Sequence, residues 1–223
     1  MPPRGLDPTG IILLDKPAGP SSFTLVSDTR RRTGAKTGHA GTLDPFATGL
    51  LVLLSGRATK LASRFVGLDK RYLTEIDLTS RTTTGDPEGE TIDVHEPPTA
   101  DELAPQLFEL TGEIELPIPT ASAVKIDGER AYKLHRRGVA VEMPLRRSTV
   151  HELTLVDNTD GVATLDLRVS SGTYVRAIAD ALGGHCSTLR RLAVGPFLVE
   201  EADPMTVIPA ADALVRLATA VAP

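Results

Sequence analysis

Two stretches of the chain are apolar without interruption, "GIILLD" at 10–15 and "GLLVLLSG" at 49–56. Runs of four or five apolar residues bounded by turn formers predict short buried strands. The first ends at Pro17 and Gly19. Between them, "SSFTLVSDTRRRTG" predicts a helix with Ser21 or Ser22 as its cap and Gly34 as its stop. "RATKLASRFVGLD" places Leu61, Phe65 and Leu68 at helical spacing. "KRYLTEIDL" instead alternates and predicts a half-exposed strand. "TTTGDPEGET" is a turn-rich loop. "TADELAPQLFELTG" predicts a helix capped by Thr99 and ended at Gly112, with Pro105 acceptable only within about the first turn.

Further along, the segment from "IELPIPTASAV" to "PLRRSTV" changes character. Prolines 117, 119 and 144 and two arginine pairs surround one short helix near "ERAYKLHRRG", which predicts a mobile, basic excursion over about 116–148. "HELTLVDNTDGVATLDLRVSSGTYVRAIADALG" predicts two strands joined at Asn158–Gly161, then a helix from about Tyr174. "LRRLAVGPFLVEEA" is read as a last helix turn and a strand. Strands outnumber helices and do not alternate regularly with them. The expected fold class is therefore α/β of the α+β kind, a mixed, largely antiparallel sheet flanked by helices.

Composition narrows the picture further. A chain of 223 residues, 41% hydrophobic, can bury a full core as one domain. A single cysteine, Cys186, excludes an internal disulfide framework and fits a reducing compartment. No apolar run reaches bilayer length, and "MPPRGLDPTG" lacks the apolar stretch of a secretion signal, so a cytoplasmic protein without membrane association is expected. Net charge is −5, but it is segregated: residues 1–72 sum to +6, 82–124 to −10 and 125–191 to +3. Such segregation leaves two readings open, a solvated surface or a basic face for phosphodiesters.

Within the basic N-terminal part, Asp44 is an isolated carboxylate between Gly41 and Gly49, glycines that would let a bulky ligand approach. Pro45 holds its backbone toward extended conformations. Asp-Pro is also an ordinary turn dipeptide, and spacing alone leaves both readings open. No phosphate loop and no G-x-S-x-G turn occurs, and the five histidines lack metal-ligand spacing.

"GHAGTLDPFATGLL" followed by "GRATKL" resembles the catalytic motif of bacterial tRNA pseudouridine-55 synthases, the TruB family. The resemblance continues through "LDKPAGPSS", "DKRYLTEIDL", "SSGTYVRAIADALG" and "LRRLAVGPF", nearly the whole chain. It implies a pseudouridine synthase-like fold and an activity that turns uridine into pseudouridine in the T-arm loop of tRNA. By this resemblance Asp44 is the nucleophile, Tyr72 packs on the target base near its C5 proton, and Arg176 pairs with the aspartate. His39 fills the space left by the flipped nucleotide, and Lys16 and Pro17 belong to a structural element beside the site. Tyr174 packs in the core or at the site, and with His39 and Lys16 it is counted among the RNA-binding residues. Arg30 to Arg32, Arg136, Arg137, Arg146 and Arg147 would hold phosphates. No cofactor is implied, because the isomerisation involves no net redox change. The expected partner is the tRNA T-arm stem-loop, bound by a monomer.

Three features depart from the family pattern. The family commonly carries a glutamine and a tyrosine near Leu116 and Ala121, the net charge is acidic, and members usually continue into a C-terminal RNA-binding module. The expected organisation is a catalytic domain over 1–205, containing the 116–148 insertion, with 206–223 a helical remnant and that module absent. A rival from another class is a tRNA-binding or folding helper with weak or lost turnover.

Overall fold

The computed structural model describes residues 9–220. The "MPPRGLDP" start and the last three residues of the 206–223 segment lie outside the described residues. In chain order the elements are β1 (Gly10–Lys16), α1 (Ser22–Thr33), β2 (Thr37–His39) and β3 (Thr48–Ser55). A 3-10 turn over Gly56–Leu61 runs into α2 (Ala62–Val66). Then come β4 (Lys70–Asp77), β5 (Ser80–Thr82), β6 (Thr91–Val94), α3 (Ala100–Glu109), β7 (Gly112–Pro117), β8 (Lys125–Ile126), β9 (Glu129–Arg130) and α4 (Ala131–Arg136). The last part holds β10 (Leu145–Thr159), β11 (Val162–Val169), α5 (Val175–Ala181), β12 (His185–Val194), β13 (Phe197–Leu198), β14 (Ile208–Pro209) and α6 (Ala210–Thr219). Among the described residues no helix is long and apolar enough to cross a membrane.

The chain divides into two compact units, residues 9–72 with 189–220, and residues 73–188. In the first, the strand order is β14-β1-β3-β12, with β2 beside β3 and β13 beside β12. β1 pairs antiparallel with β3, whereas β3 and β12 run parallel, Arg191 lying opposite Gly49. The uninterrupted apolar runs are explained here, because β1 and β3 are covered on both faces. Ile11, Leu13, Leu50, Val52 and Leu54 pack with Phe65, Phe197 and Ala213 of α6. Ile12, Leu14, Leu51 and Leu53 pack with Val26 of α1. Each fully buried Leu, Ile, Val or Phe side chain among them stabilises by roughly 1.5–3 kcal/mol. The ends of α1 are as expected. The Ser21 hydroxyl accepts from the Thr24 N–H, Gly34 closes the helix at φ 69°, and Arg30, Arg31 and Arg32 sit in the last turn, where the helix dipole favours cations.

In the second unit the order is β12-β4-β11-β10-β7, β4 and β12 each contributing the part of their length that lies within it. β10 pairs antiparallel with β11 and β7, and its hairpin turns at Asp160 and Gly161, with φ of 52° and 78°. β5 and β6 form a separate hairpin around the turn-rich loop. α3 carries the Thr99–Glu102 capping box. Leu116 and Pro117 pair with Arg146 and Leu145, so the ends of the 116–148 segment are strand. The excursion between them holds β8, β9 and α4. Pro117 is tolerated because β7 is an edge strand.

Three expectations need correction. "LRRLAV" contains no helix turn, being the second half of β12; a 3-10 turn comes later, at Val199–Glu201. Pro105 stands at the sixth position of α3, beyond the first turn, where its side is exposed and water can serve the carbonyl left without a donor. α3 closes at Leu110, and Gly112 opens β7 at φ 95°.

Candidate active site

Asp44 lies in the loop between β2 and β3, half-buried between buried Leu43 and Ala47. Three side chains from other elements fix that loop through its backbone. Lys16, fully buried at the end of β1, donates from Nζ to the carbonyls of Ala47 (2.7 Å), Pro17 (2.9 Å) and Pro45 (3.0 Å). Ser22, in the first turn of α1, uses one hydroxyl twice. It donates to the Leu43 carbonyl at 2.8 Å and accepts the Leu43 N–H at 2.9 Å. Arg191 donates from Nε to the Leu50 carbonyl (2.7 Å) and from Nη2 and Nη1 to those of Gly41 (3.2 Å) and Thr42 (3.4 Å). Buried peptide groups on both sides of the carboxylate therefore have partners, and the loop is held where a free Gly-rich segment would wander.

Gly49 has a sharper reason than access for a ligand. Its φ is +99°, and a Cβ there would stand 2.2 Å from the Arg191 carbonyl oxygen. Only glycine lets β12 come that close.

His39 is half-buried in β2, and burial, followed by the nearby Arg191 cation, holds its imidazole below the ordinary value. Its Nδ1 is buried without a hydrogen-bond partner among the described residues. Lys70 at the start of β4 is buried and donates to the carbonyls of Val66 and Leu68. Burial and Arg191 push it down to about 8, against the pull of Asp69. Tyr72 is on the same buried side of β4, two residues on.

In the second unit Arg176 is buried in α5. Its Nη1 donates to the Thr84 carbonyl (2.8 Å) and to Oδ2 of Asp86 (3.0 Å), and Nη2 donates to the Ala121 carbonyl (3.0 Å). Asp86 is buried too, and its Oδ1 accepts from Thr84 Oγ1 at 2.6 Å and the Glu88 N–H at 3.0 Å. Ala121, one of the off-pattern residues, thus meets Arg176 through its main chain, which any residue type supplies. Tyr174 precedes α5, half-buried in its N-cap position, and shares a small cleft with Arg146, Leu116 and Thr173. The Arg146 guanidinium lies directly over Gly172, whose missing Cβ makes the room. Arg147 pairs with exposed Glu115 at 3.2 Å, Arg137 with Glu129 at 2.8 Å, and Arg136 covers the Tyr132 ring at 5.5 Å. Arg136 and His135 also border a cavity of about 690 Å³ that Glu88 and Glu90 line as well.

Asp44, His39, Lys16 and Tyr72 thus belong to the first unit, and Arg176, Tyr174, Arg136, Arg137, Arg146 and Arg147 to the second. Sequence reasoning missed Ser22, Asp86 and Arg191. The available signals were a charged residue inside an apolar strand for Arg191 and an acid before proline in a turn for Asp86.

Residues 30–175 match the TruB family pseudouridylate synthase (N terminal domain). The chain belongs to the TruB family. The match takes in His39, Asp44, Tyr72, Tyr174 and the four arginines of the 136–147 stretch; Lys16 and Arg176 flank it. The chain is 43% identical to tRNA pseudouridine synthase B of Thermobifida fusca (strain YX), covering 96% of this chain and 78% of that protein. It is 41% identical to tRNA pseudouridine synthase B of Leifsonia xyli subsp. xyli, over 95% and 75%. Among solved structures, a Cbf5-Nop10-Gar1 complex superposes with a TM-score of 0.67 at 27% identity, over 86% of this chain and half the length of that one. A pseudouridylate synthase crystal structure at 17% identity and TM-score 0.52 shares the fold, over 93% of this chain and 73% of that one.

Proposed function

We propose that this TruB-family chain isomerises uridine to pseudouridine in the T-arm loop of tRNA, with Asp44 as nucleophile. The observation that carries the reading is the Asp44 loop itself. It lies inside the family match, and buried Lys16, Ser22 and Arg191 hold its backbone on both sides of the carboxylate. A nucleophile must meet its target at a fixed distance and angle, and such fixation is what positioning demands.

In the reaction the C1′–N1 bond breaks, a C1′–C5 bond forms, the C5 proton leaves and N1 gains one. Atoms balance without an oxidant or reductant. Asp44 attacks as a carboxylate and divides one difficult step into two easier ones; attack at the ribose C1′ and at the base C6 both satisfy this scheme. The target base is stacked inside an RNA loop, so it must be flipped out before reaction. Tyr72 packs on the flipped base near C5. His39, kept neutral by burial and Arg191, offers a flat uncharged ring for the vacated space. By the family likeness Arg176 belongs to the catalytic set, a cation of the kind that favours an ionised carboxylate. Arg136, Arg137, Arg146 and Arg147 contact phosphates, which sets register without reading sequence. The protein works as a cytoplasmic monomer on the T-arm stem-loop.

The test is incubation with unmodified tRNA transcript and chemical mapping of pseudouridine, repeated with Asp44→Ala. Modification is expected at the T-loop uridine and is expected to vanish in the variant, while tRNA still binds. A protein that refolds tRNA yet forms no pseudouridine on any uridine-containing RNA is a folding helper and overturns the reading.

A further inference from the structure

Arg191 is among the largest fully buried side chains of the protein. Burying a guanidinium is expensive unless its donors are used. Here the donors go to three main-chain carbonyls on either side of Asp44, those of Gly41 and Thr42 in the loop before it and that of Leu50 in β3 after it. The backbone of Arg191 is itself fixed, because it lies opposite Gly49 in the β3–β12 pairing and approaches it closely enough to exclude a Cβ. We infer that Arg191 is a positioning residue for the isomerisation, tying the start of the Asp44 loop and the strand β3 that follows it to β12 and so fixing the direction of the Asp44 carboxylate.

The planar fork of arginine suits this task. Its donors diverge at fixed angles and reach both stretches at once, whereas the single ammonium of lysine cannot. Lys16 and Ser22 hold the middle of the loop, at Leu43, Pro45 and Ala47, and Arg191 holds its start at Gly41 and Thr42 and the strand beyond it at Leu50. The groups that feel its charge are His39 on β2 and Lys70 on β4, both pushed down partly by it. The inference rests on the reading of Asp44 as nucleophile.

The test compares Arg191→Lys with the unaltered protein in single-turnover pseudouridine formation and in tRNA binding. Turnover is expected to fall about 100-fold, the size of loss that misplacing a reacting group by about an ångström produces. The tRNA dissociation constant is expected to stay within about threefold, because the hydrogen bonds removed act on turnover and leave the binding surface in place. A second measurement does not depend on the variant folding. In the unaltered protein, NMR should resolve separate, slowly rotating Nη signals for Arg191. A variant that turns over at the unaltered rate, a loss confined to binding, or a freely rotating guanidinium each overturns the inference. Full activity of Asp44→Ala would defeat the nucleophile reading beneath it. An inactive Asp44→Ala beside a fully active Arg191→Lys would defeat this inference alone.

Discussion

Gly49→Ala perturbs a single atom at the junction of the Asp44 loop and β12. Its cost has two parts that other glycines of the same unit separate. The backbone at φ +99° is strained for any L side chain, which costs about 1–3 kcal/mol. The added Cβ would also lie 2.2 Å from the Arg191 oxygen and 2.6 Å from its nitrogen, where nothing under 3.0 Å is tolerated, so β12 must retreat by close to an ångström. Overpacking of that kind adds about 1–3 kcal/mol. The expected destabilisation is about 2–6 kcal/mol, or about 4–24 °C in melting temperature for a chain of this size. Gly19 has a φ of +102° with open space around it, so Gly19→Ala should carry the strain alone, about 1–3 kcal/mol. Gly38 has neither strain nor a close neighbour, and Gly38→Ala should be neutral or stabilise by up to about 1 kcal/mol. Calorimetry and urea denaturation of the three variants give the comparison. If Gly49→Ala lost less than about 1 kcal/mol, or no more than Gly19→Ala, the close approach of Arg191 would not exist in solution, since overpacking carries a cost of its own.

Lys70 gives a pH signature. It titrates near 8 in the folded protein against 10.5 when free, so below about pH 8 both states hold the proton and burial of the ammonium costs about 3 kcal/mol. Between pH 8 and 10.5 the unfolded chain binds more protons, and stability gains from this residue as pH rises. Lys70→Met should remove that gain, and urea midpoints that run parallel for both proteins from pH 7 to 10 would contradict it. Asp86→Ala takes away the buried carboxylate that faces Arg176 and also serves Thr84 and the Glu88 N–H, so a loss of about 3 kcal/mol is expected by urea denaturation. A change below about 1 kcal/mol would mean that the ion pair is dispensable, because breaking a buried pair is normally costlier than that. Arg146→Ala combined with Arg147→Ala should weaken tRNA binding and reduce its dependence on salt, by up to about 0.9 in slope for each phosphate no longer neutralised. An unchanged slope would remove this pair from the RNA-binding surface.

The parts of the fold that can be read from sequence are those where one rule acts alone. The caps of α1 and α3 are local hydrogen bonds, and "KRYLTEIDL" alternates because one side of β4 is buried. β12 escapes such a reading for a physical reason. In "LRRLAV" the buried positions are Leu189, Arg191, Ala193 and the terminal Val194, while Leu192 is half-exposed. A charge stands where an apolar residue is expected and an apolar residue stands on the open side, which disguises a period of two as a helix turn. The site divides the same way. Asp44 stands out because proline and glycines flank it. Ser22 and Arg191 act on its loop through main-chain atoms 21 and 141 or more positions away in sequence, and no local pattern records such contacts. Gly49 reads from sequence as room for the ligand, whereas the strand beside it already requires a glycine there.

The chain leaves the first unit within β4 and returns to it within β12, so Arg191 reaches its carbonyl acceptors only after the whole of residues 73–188 has been made. At about 5–20 residues per second, the 141 positions between Leu50 and Arg191 correspond to about 7–30 s of synthesis. A nascent chain on the ribosome therefore carries Asp44 on a loop that Lys16 and Ser22 can already grip, and the Arg191 clasp is added only later in synthesis.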